Sequence, residues 1–189
     1  MPYKEVANAK VSPAVARRAR KIRVLLCDVD GVLTDGHVWL LSQLDGSTLE
    51  LKGFYAQDGA GLTLLSIAGL KTGVITGRKS AAVERRAKEC GMEYVRQGVA
   101  VKIPVYEGIL RDAGVTDEEV AYVGDDLPDL PIMKRVGLAV AVANAMPEVK
   151  RAAHFVTAHS GGNGGVREVV ELLLKSQGRW EELVAKSRA

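Results

Sequence analysis

At 189 residues the chain is long enough for one domain with a full core, and halving it would leave two pieces of marginal size. Its 26 basic and 23 acidic residues nearly balance, at a formal charge of +3, and the concentrated basic run from Arg17 to Arg23 has few aromatics beside it. It therefore reads as a solvated helix face, which argues against a nucleic-acid-binding protein. Two cysteines, Cys27 and Cys90, make no disulfide framework and suit a reducing cytoplasm, and no apolar stretch is long enough to span a bilayer. Met1 to Glu5 do not open a signal peptide, and the residues ahead of Ser12 are expected to be loose. The expectation is a single domain over 1–189, with a hairpin insertion at about 36–53 and a C-terminal tail from about 158 to 189.

Ser12-Pro13 reads as an N-cap with proline at the first helical position, so a short helix is expected from Ala14 to Lys21. Ile22 to Cys27 is an apolar run with the character of a buried strand, and Asp28 and Asp30 stand where it ends. His37–Leu41 and Thr48–Lys52 flank Asp45-Gly46, the pattern of a projecting hairpin. Asp58 is placed as the cap of a helix through Leu64 to Ala68, closed by Gly69, and Lys71–Ile75 reads as the next strand. A helix from Ser80 to Cys90, a short strand at Tyr94-Val95 and a helix from Lys102 to Ala113 follow. Thr116 and Glu119 form a capping box ahead of the strand Val120–Val123. Strands are then expected at Leu138–Val142 and His154–Val156, a helix at Val166–Ser176 and an amphipathic segment at Trp180–Lys186. Alternation of this kind predicts an α/β fold, a three-layer sandwich with a mostly parallel sheet covered by helices.

Four features fall at the C-terminal ends of successive strands: Asp28 with Asp30, Thr76, Lys102 at a helix start, and Gly124-Asp125-Asp126 with Asp129. Such ends face one crevice in an open α/β sheet. Each feature alone has a plainer reading. Asp-x-Asp-Gly can be an acidic strand end, Thr76 a cap, Lys102 a solvated charge, and Gly-Asp-Asp a turn with an N-cap. As a set they supply what phosphoryl transfer needs. Asp28 would be the nucleophile, and Asp30 would protonate the leaving alcohol and then activate water. Thr76 would offer its hydroxyl and N–H to phosphoryl oxygens, and Lys102 a positive charge. Asp28, the Asp30 carbonyl and Asp125 would hold Mg²⁺, with Asp126 and Asp129 as supports behind them.

These segments resemble the four motifs of the haloacid-dehalogenase superfamily of aspartyl-phosphate phosphatases. More narrowly, Asp28–Gly36, Asp58-Gly59-x-Gly61, Ile75–Arg78, Tyr122–Leu127 and Gly161–Val169 resemble the family that acts on 3-deoxy-manno-octulosonate 8-phosphate. The resemblance runs from about Ile22 to Gln177 and implies Mg²⁺-dependent homotetramers of the lipopolysaccharide sugar pathway, with a small phosphosugar as substrate. Thr34, Gly77, Arg78 and Arg167 are the substrate-binding candidates it leaves. Two positions depart from the family pattern, Gln57 and Asn163 standing where arginine is common. Arginine is the better grip on a carboxylate, so a nine-carbon sugar acid 9-phosphate or a broader set of phosphosugars is the alternative substrate class. Outside enzymes, the alternatives are a phosphoacceptor signalling domain or a binding module. Asp30 two positions after the nucleophile speaks for hydrolysis over a stable phospho-switch.

No cap domain fits between Thr76 and Lys102 or between Lys102 and Asp125, since each interval holds one strand-helix unit. Gly36 to Gly53 is left for the hairpin, whose Val38, Trp39, Leu40 and Leu41 cannot all face one way. An apolar hairpin in water is expected to pack on other hairpins in a homo-oligomer, with a neighbouring subunit closing each site through its C-terminal tail. The plainer possibility is a hairpin folded back on its own domain.

Overall fold

Ser12 Oγ accepts a hydrogen bond from the Val15 N–H at 3.2 Å, and Pro13 takes the first helical position, so α1 runs over Pro13–Arg20. The structure, a computed structural model, describes residues 11–186. The expectations placed on Met1 to Glu5 and on the rest of the first ten residues lie outside the described residues.

In chain order the strands are β1 (Val24–Cys27), β2 (Trp39–Ser42), β3 (Thr48–Leu51), β4 (Lys71–Ile75), β5 (Tyr94–Arg96), β6 (Val120–Gly124), β7 (Leu138–Ala141) and β8 (Phe155–Val156). After α1 come α2 (Ala56–Ile67), α3 (Ala81–Glu89), α4 (Lys102–Ala113), α5 (Leu130–Met133), α6 (Pro147–Ala152), α7 (Gly165–Ser176) and α8 (Trp180–Lys186). Six strands form one sheet in the order β5-β4-β1-β6-β7-β8, and every pairing in it is parallel. β1 sits in the middle and is buried along its whole length, which is why its sequence is apolar without alternation. Helices α1, α2 and α7 pack together, as do α4, α5 and α6, so the sheet is flanked by helices as expected. The order of strands reverses between β1 and β6, and the carboxyl ends at such a switch point are where open α/β sheets bind their ligands.

One local expectation needs correction. α2 starts at Ala56, ahead of Asp58, so Asp58 does not cap it. The buried Asp58 carboxylate instead caps α7, taking the Arg167 N–H at 2.7 Å and the Gly164 N–H at 3.3 Å. Its own helix stays close to α7 because Gly61 has no side chain, and a Cβ there would press on Arg167 Cδ at 3.1 Å. In the C-terminal segment, α7 packs on α1 and α2, and α8 packs on α7. α7 buries Val166, Val169, Val170, Leu172, Leu173 and Leu174, each worth about 1.5–3 kcal/mol. As expected of a projecting hairpin, β2 and β3 form a two-stranded sheet of their own, apart from the six-stranded one. Register pairs Trp39 with Leu51 and Leu41 with Leu49, so these four share one face, and all are exposed, Trp39 by 60%.

Candidate active site

The first acidic segment is shaped by a tight turn at the end of β1. Val29 O accepts from the N–H groups of Val32, Leu33 and Thr34 at 2.9 to 3.2 Å, and Gly31 sits at φ +94°, a conformation costly for other residues. A Cβ on Gly31 would also run into the Asp125 carboxylate. Asp28 and Asp125 therefore approach one another across the switch point, with the Asp28 N–H extending the β1-β6 ladder to Val123 O at 3.0 Å.

Lys102, the first residue of α4, is almost fully buried and donates to Asp28 Oδ1 at 2.8 Å and Asp129 Oδ1 at 2.7 Å. Burial would lower its pKa, but Asp28 and Asp129 outweigh that and hold it above the ordinary lysine value. Tyr122 on β6 donates its hydroxyl to Asp129 Oδ1 at 2.7 Å, and Asp129 Oδ2 takes the Asp125 N–H at 3.0 Å and the Asp126 N–H at 3.3 Å. Four donors thus fix Asp129 and, through it, the start of the Gly124-Asp125-Asp126 turn. Gly124 is needed there, since a Cβ would lie 2.6 Å from Asp129 Oδ2. Asp126 points outward and takes the Leu127 N–H at 2.8 Å, capping the short 3-10 turn Leu127–Asp129.

Carboxylate oxygens of Asp28, Asp125 and Asp129 lie within 4.8 Å of one another. Burial, then the Asp129 charge, pushes Asp28 up to about 6 against the pull of Lys102. Asp125 rises to about 7 through burial and the charges of Asp28 and Asp129. Asp125 Oδ1 is buried with no hydrogen-bond partner. An orphaned carboxylate oxygen beside further carboxylates, all crowded by like charge, fits the ligand set of a hard divalent cation.

The remaining candidates divide. Asp30 turns its carboxylate to Lys52, just past the end of β3, and to Arg78, whose Nε is 3.8 Å from Asp30 Oδ2. Its side chain is not part of the three-carboxylate cluster. Thr76 is buried at the end of β4, but its N–H is donated to Arg96 O at 2.9 Å, so of the two donors expected there only the hydroxyl remains. Gly77 is exposed beside it. Thr34 is buried and turned inward, its hydroxyl oxygen meeting the N–H groups of Gly31 and Gly36 at 3.4 and 3.3 Å, so it helps to build the turn. Arg167 pairs with Glu171 at 2.9 Å and lies over the Trp180 ring, outside the cluster. Gln57 and Asn163 are both exposed.

Tyr122, Glu50, Lys52 and Asn144 were not singled out from the sequence. Asn144 ties the glycine-rich segment to the acidic turn, donating to Gly31 O at 3.1 Å and accepting from the Gly161 N–H at 2.7 Å. Only Glu50 and Lys52 had a signal, two charges at alternate positions among leucines in a strand. Cys27 lies beneath the site with its thiol pKa raised by burial, and it is an inert core residue.

The haloacid dehalogenase-like hydrolase family matches residues 96–170. The 3-deoxy-D-manno-octulosonate 8-phosphate phosphatase of Yersinia pestis is 41% identical over 179 residues, covering 95% of this chain and 94% of that protein. Among solved structures, a probable YrbI family phosphatase from Pseudomonas syringae is 44% identical, with a TM-score of 0.89 and coverage of 94% and 99% of the two chains. Another, the 3-deoxy-D-manno-octulosonate 8-phosphate phosphatase of Moraxella catarrhalis in complex with magnesium, phosphate and KDO, is 38% identical, with a TM-score of 0.85 and coverage of 91% and 97%. By descent as well as by fold, this chain belongs to the haloacid dehalogenase-like hydrolases, in the family of 3-deoxy-D-manno-octulosonate 8-phosphate phosphatases.

Proposed function

We propose that the protein hydrolyses 3-deoxy-D-manno-octulosonate 8-phosphate to the free sugar acid and phosphate, as its relatives are named for doing, with Asp28 as the nucleophile. The observation that carries this reading is the Asp28–Lys102–Asp129 chain of contacts at 2.8 and 2.7 Å, set against Asp125 at the switch point. An Asp28 carboxylate oxygen attacks phosphorus, the ester P–O bond breaks, and Asp30 delivers its proton to the departing sugar oxygen. Asp30 then takes a proton from water, whose oxygen attacks the aspartyl phosphate and frees both phosphate and Asp28. Lys102 keeps Asp28 charged and aimed, and the Thr76 hydroxyl, with Gly77 and Arg78 beside it, faces the phosphoryl oxygens and the sugar. Asp28 and Asp125, with the Asp30 carbonyl, would hold Mg²⁺, while Asp129 and Asp126 stay engaged as supports. That cation would offset the negative charge shared by nucleophile and phosphate.

Further parts of the reading concern setting. One domain carries the whole reaction, without a cap, and the apolar face of Trp39, Leu41, Leu49 and Leu51 supports a homotetramer built by hairpins packed together. A neighbouring subunit then covers each crevice. Two free, buried thiols suit the reducing cytoplasm. Neutral Gln57 and Asn163 favour, as a second reading, a nine-carbon sugar acid 9-phosphate or a broader phosphosugar range. Phosphate release measured over a panel of phosphosugars, with and without Mg²⁺, tests both. The eight-carbon ester should be turned over fastest and only with the metal; faster turnover of the nine-carbon ester would shift the assignment, and no release from any ester would end it.

A further inference from the structure

Just past the inner end of the hairpin, four charged side chains close a ring. Lys52 Nζ is held against Asp30 Oδ1 and lies 3.5 Å from Glu50 Oε1. Glu50 Oε2 accepts from Arg78 Nη2 at 2.6 Å, and Arg78 Nε returns to within 3.8 Å of Asp30 Oδ2. The Lys52 side chain is 1% exposed, although lysines ordinarily keep the ammonium in water. Two positive and two negative charges balance within the ring, which offsets the cost of burying the Lys52 ammonium. None of the chemistry set out above uses Lys52 or Glu50.

We propose that Lys52 is a positioning residue for Asp30, fixing one carboxylate oxygen so that the other is presented to the oxygen of the leaving group, with Glu50 holding Lys52 and Arg78 in place. This rests on the phosphatase reading and deepens it. Asp30 Oδ1 is occupied by the ammonium, whereas Arg78 Nε, at 3.8 Å, stays beyond hydrogen-bond distance of Oδ2; Oδ2 is then the atom that carries the proton out to the ester oxygen as its bond to phosphorus breaks, and accepts the proton from water afterwards. An anchor for the hairpin alone would act on stability and would treat all phosphate esters alike. A device that aims the acid acts according to the leaving group. An alkoxide such as a sugar oxygen must be protonated as it departs, whereas a nitrophenolate leaves without help.

The test compares an alkyl phosphosugar with p-nitrophenyl phosphate in wild type, Lys52→Met and Lys52→Arg, all with Mg²⁺ and all checked by circular dichroism. For Lys52→Met, kcat/KM, which reports the formation of the aspartyl phosphate and not its hydrolysis by water, should fall on the order of 10–100-fold on the alkyl ester and less than about threefold on the aryl ester. Lys52→Arg keeps the charge but shifts the donors, and it should lose an intermediate amount on the alkyl ester alone; it carries the same comparison if Lys52→Met does not fold. Equal losses on both esters, or wild-type turnover of the alkyl ester by the variants, would overturn the proposal while leaving the phosphatase standing. A wild-type protein inert toward both esters would remove the phosphatase reading and this proposal together.

Discussion

Asp28 is a carboxylate that burial and its neighbour Asp129 push toward protonation and that one buried lysine pulls back. Asp28→Asn keeps the shape and removes both the charge and the nucleophile. Turnover should drop by at least about a thousandfold, and the circular dichroism spectrum should be unchanged. A variant with wild-type turnover would rule out Asp28 as the attacking group. Asp125 gives a second expectation at this scale. Its pKa in the fold, about 7, lies above the ordinary value of 3.8, so the folded protein binds a proton that the unfolded chain has released. Its contribution to stability is therefore full below about pH 4 and is lost as pH rises through 7. With metal chelated, the wild-type melting temperature should fall over that interval by more than that of Asp125→Asn, and a difference independent of pH would show that the carboxylate is not strained by its surroundings.

Elements add constraints that single residues do not reveal. α7 begins at a glycine-rich turn with no capping side chain of its own, and a buried acid on another helix does the work. Asp58→Ala should cost about 1–2 kcal/mol, or roughly 2–8 °C in melting temperature for a chain of this size, without changing the metal requirement. An unchanged melting temperature would mean that the cap is dispensable. Much of this level was legible beforehand. Lys71–Ile75, Lys102–Ala113 and Trp180–Lys186 have the expected bounds, because local patterning and glycine stops decide them. The Asp58 cap was not legible, since its partners Gly164 and Arg167 are brought to it by tertiary packing alone. What Lys52 meets was not legible for the same reason, as the Asp30 carboxylate reaches it from a different turn. The contacts of Thr34 with the Gly31 and Gly36 N–H groups were not legible either, since they form only when the acidic turn closes around it.

At the scale of the molecule, a hairpin with an apolar face stands away from a domain whose other apolar side chains are largely interior. If it assembles the homotetramer, Trp39→Asp with Leu41→Asp should convert the sedimenting species to a monomer at micromolar concentration and lower activity at least tenfold, as the covering neighbour is lost. A wild-type protein that sediments as a fully active monomer would defeat this. The placing of Asp28, Lys102, Asp125 and Asp129 side by side follows from strand order, which no local stretch of sequence encodes. The motifs announced which residues to watch, and the sheet decided which of them meet.

That strand order bears also on how the chain comes to be folded during synthesis. β1 is made first among the strands, yet Val24 pairs with Lys71 on one side and Val120 on the other, so its second edge stays open until most of the polypeptide exists. Throughout that interval a short, wholly apolar segment is unsatisfied and prone to clumping with its like. Ribosome-bound fragments that end before β6 should accordingly lean on holding chaperones, and release from them should coincide with the emergence of Val120–Gly124.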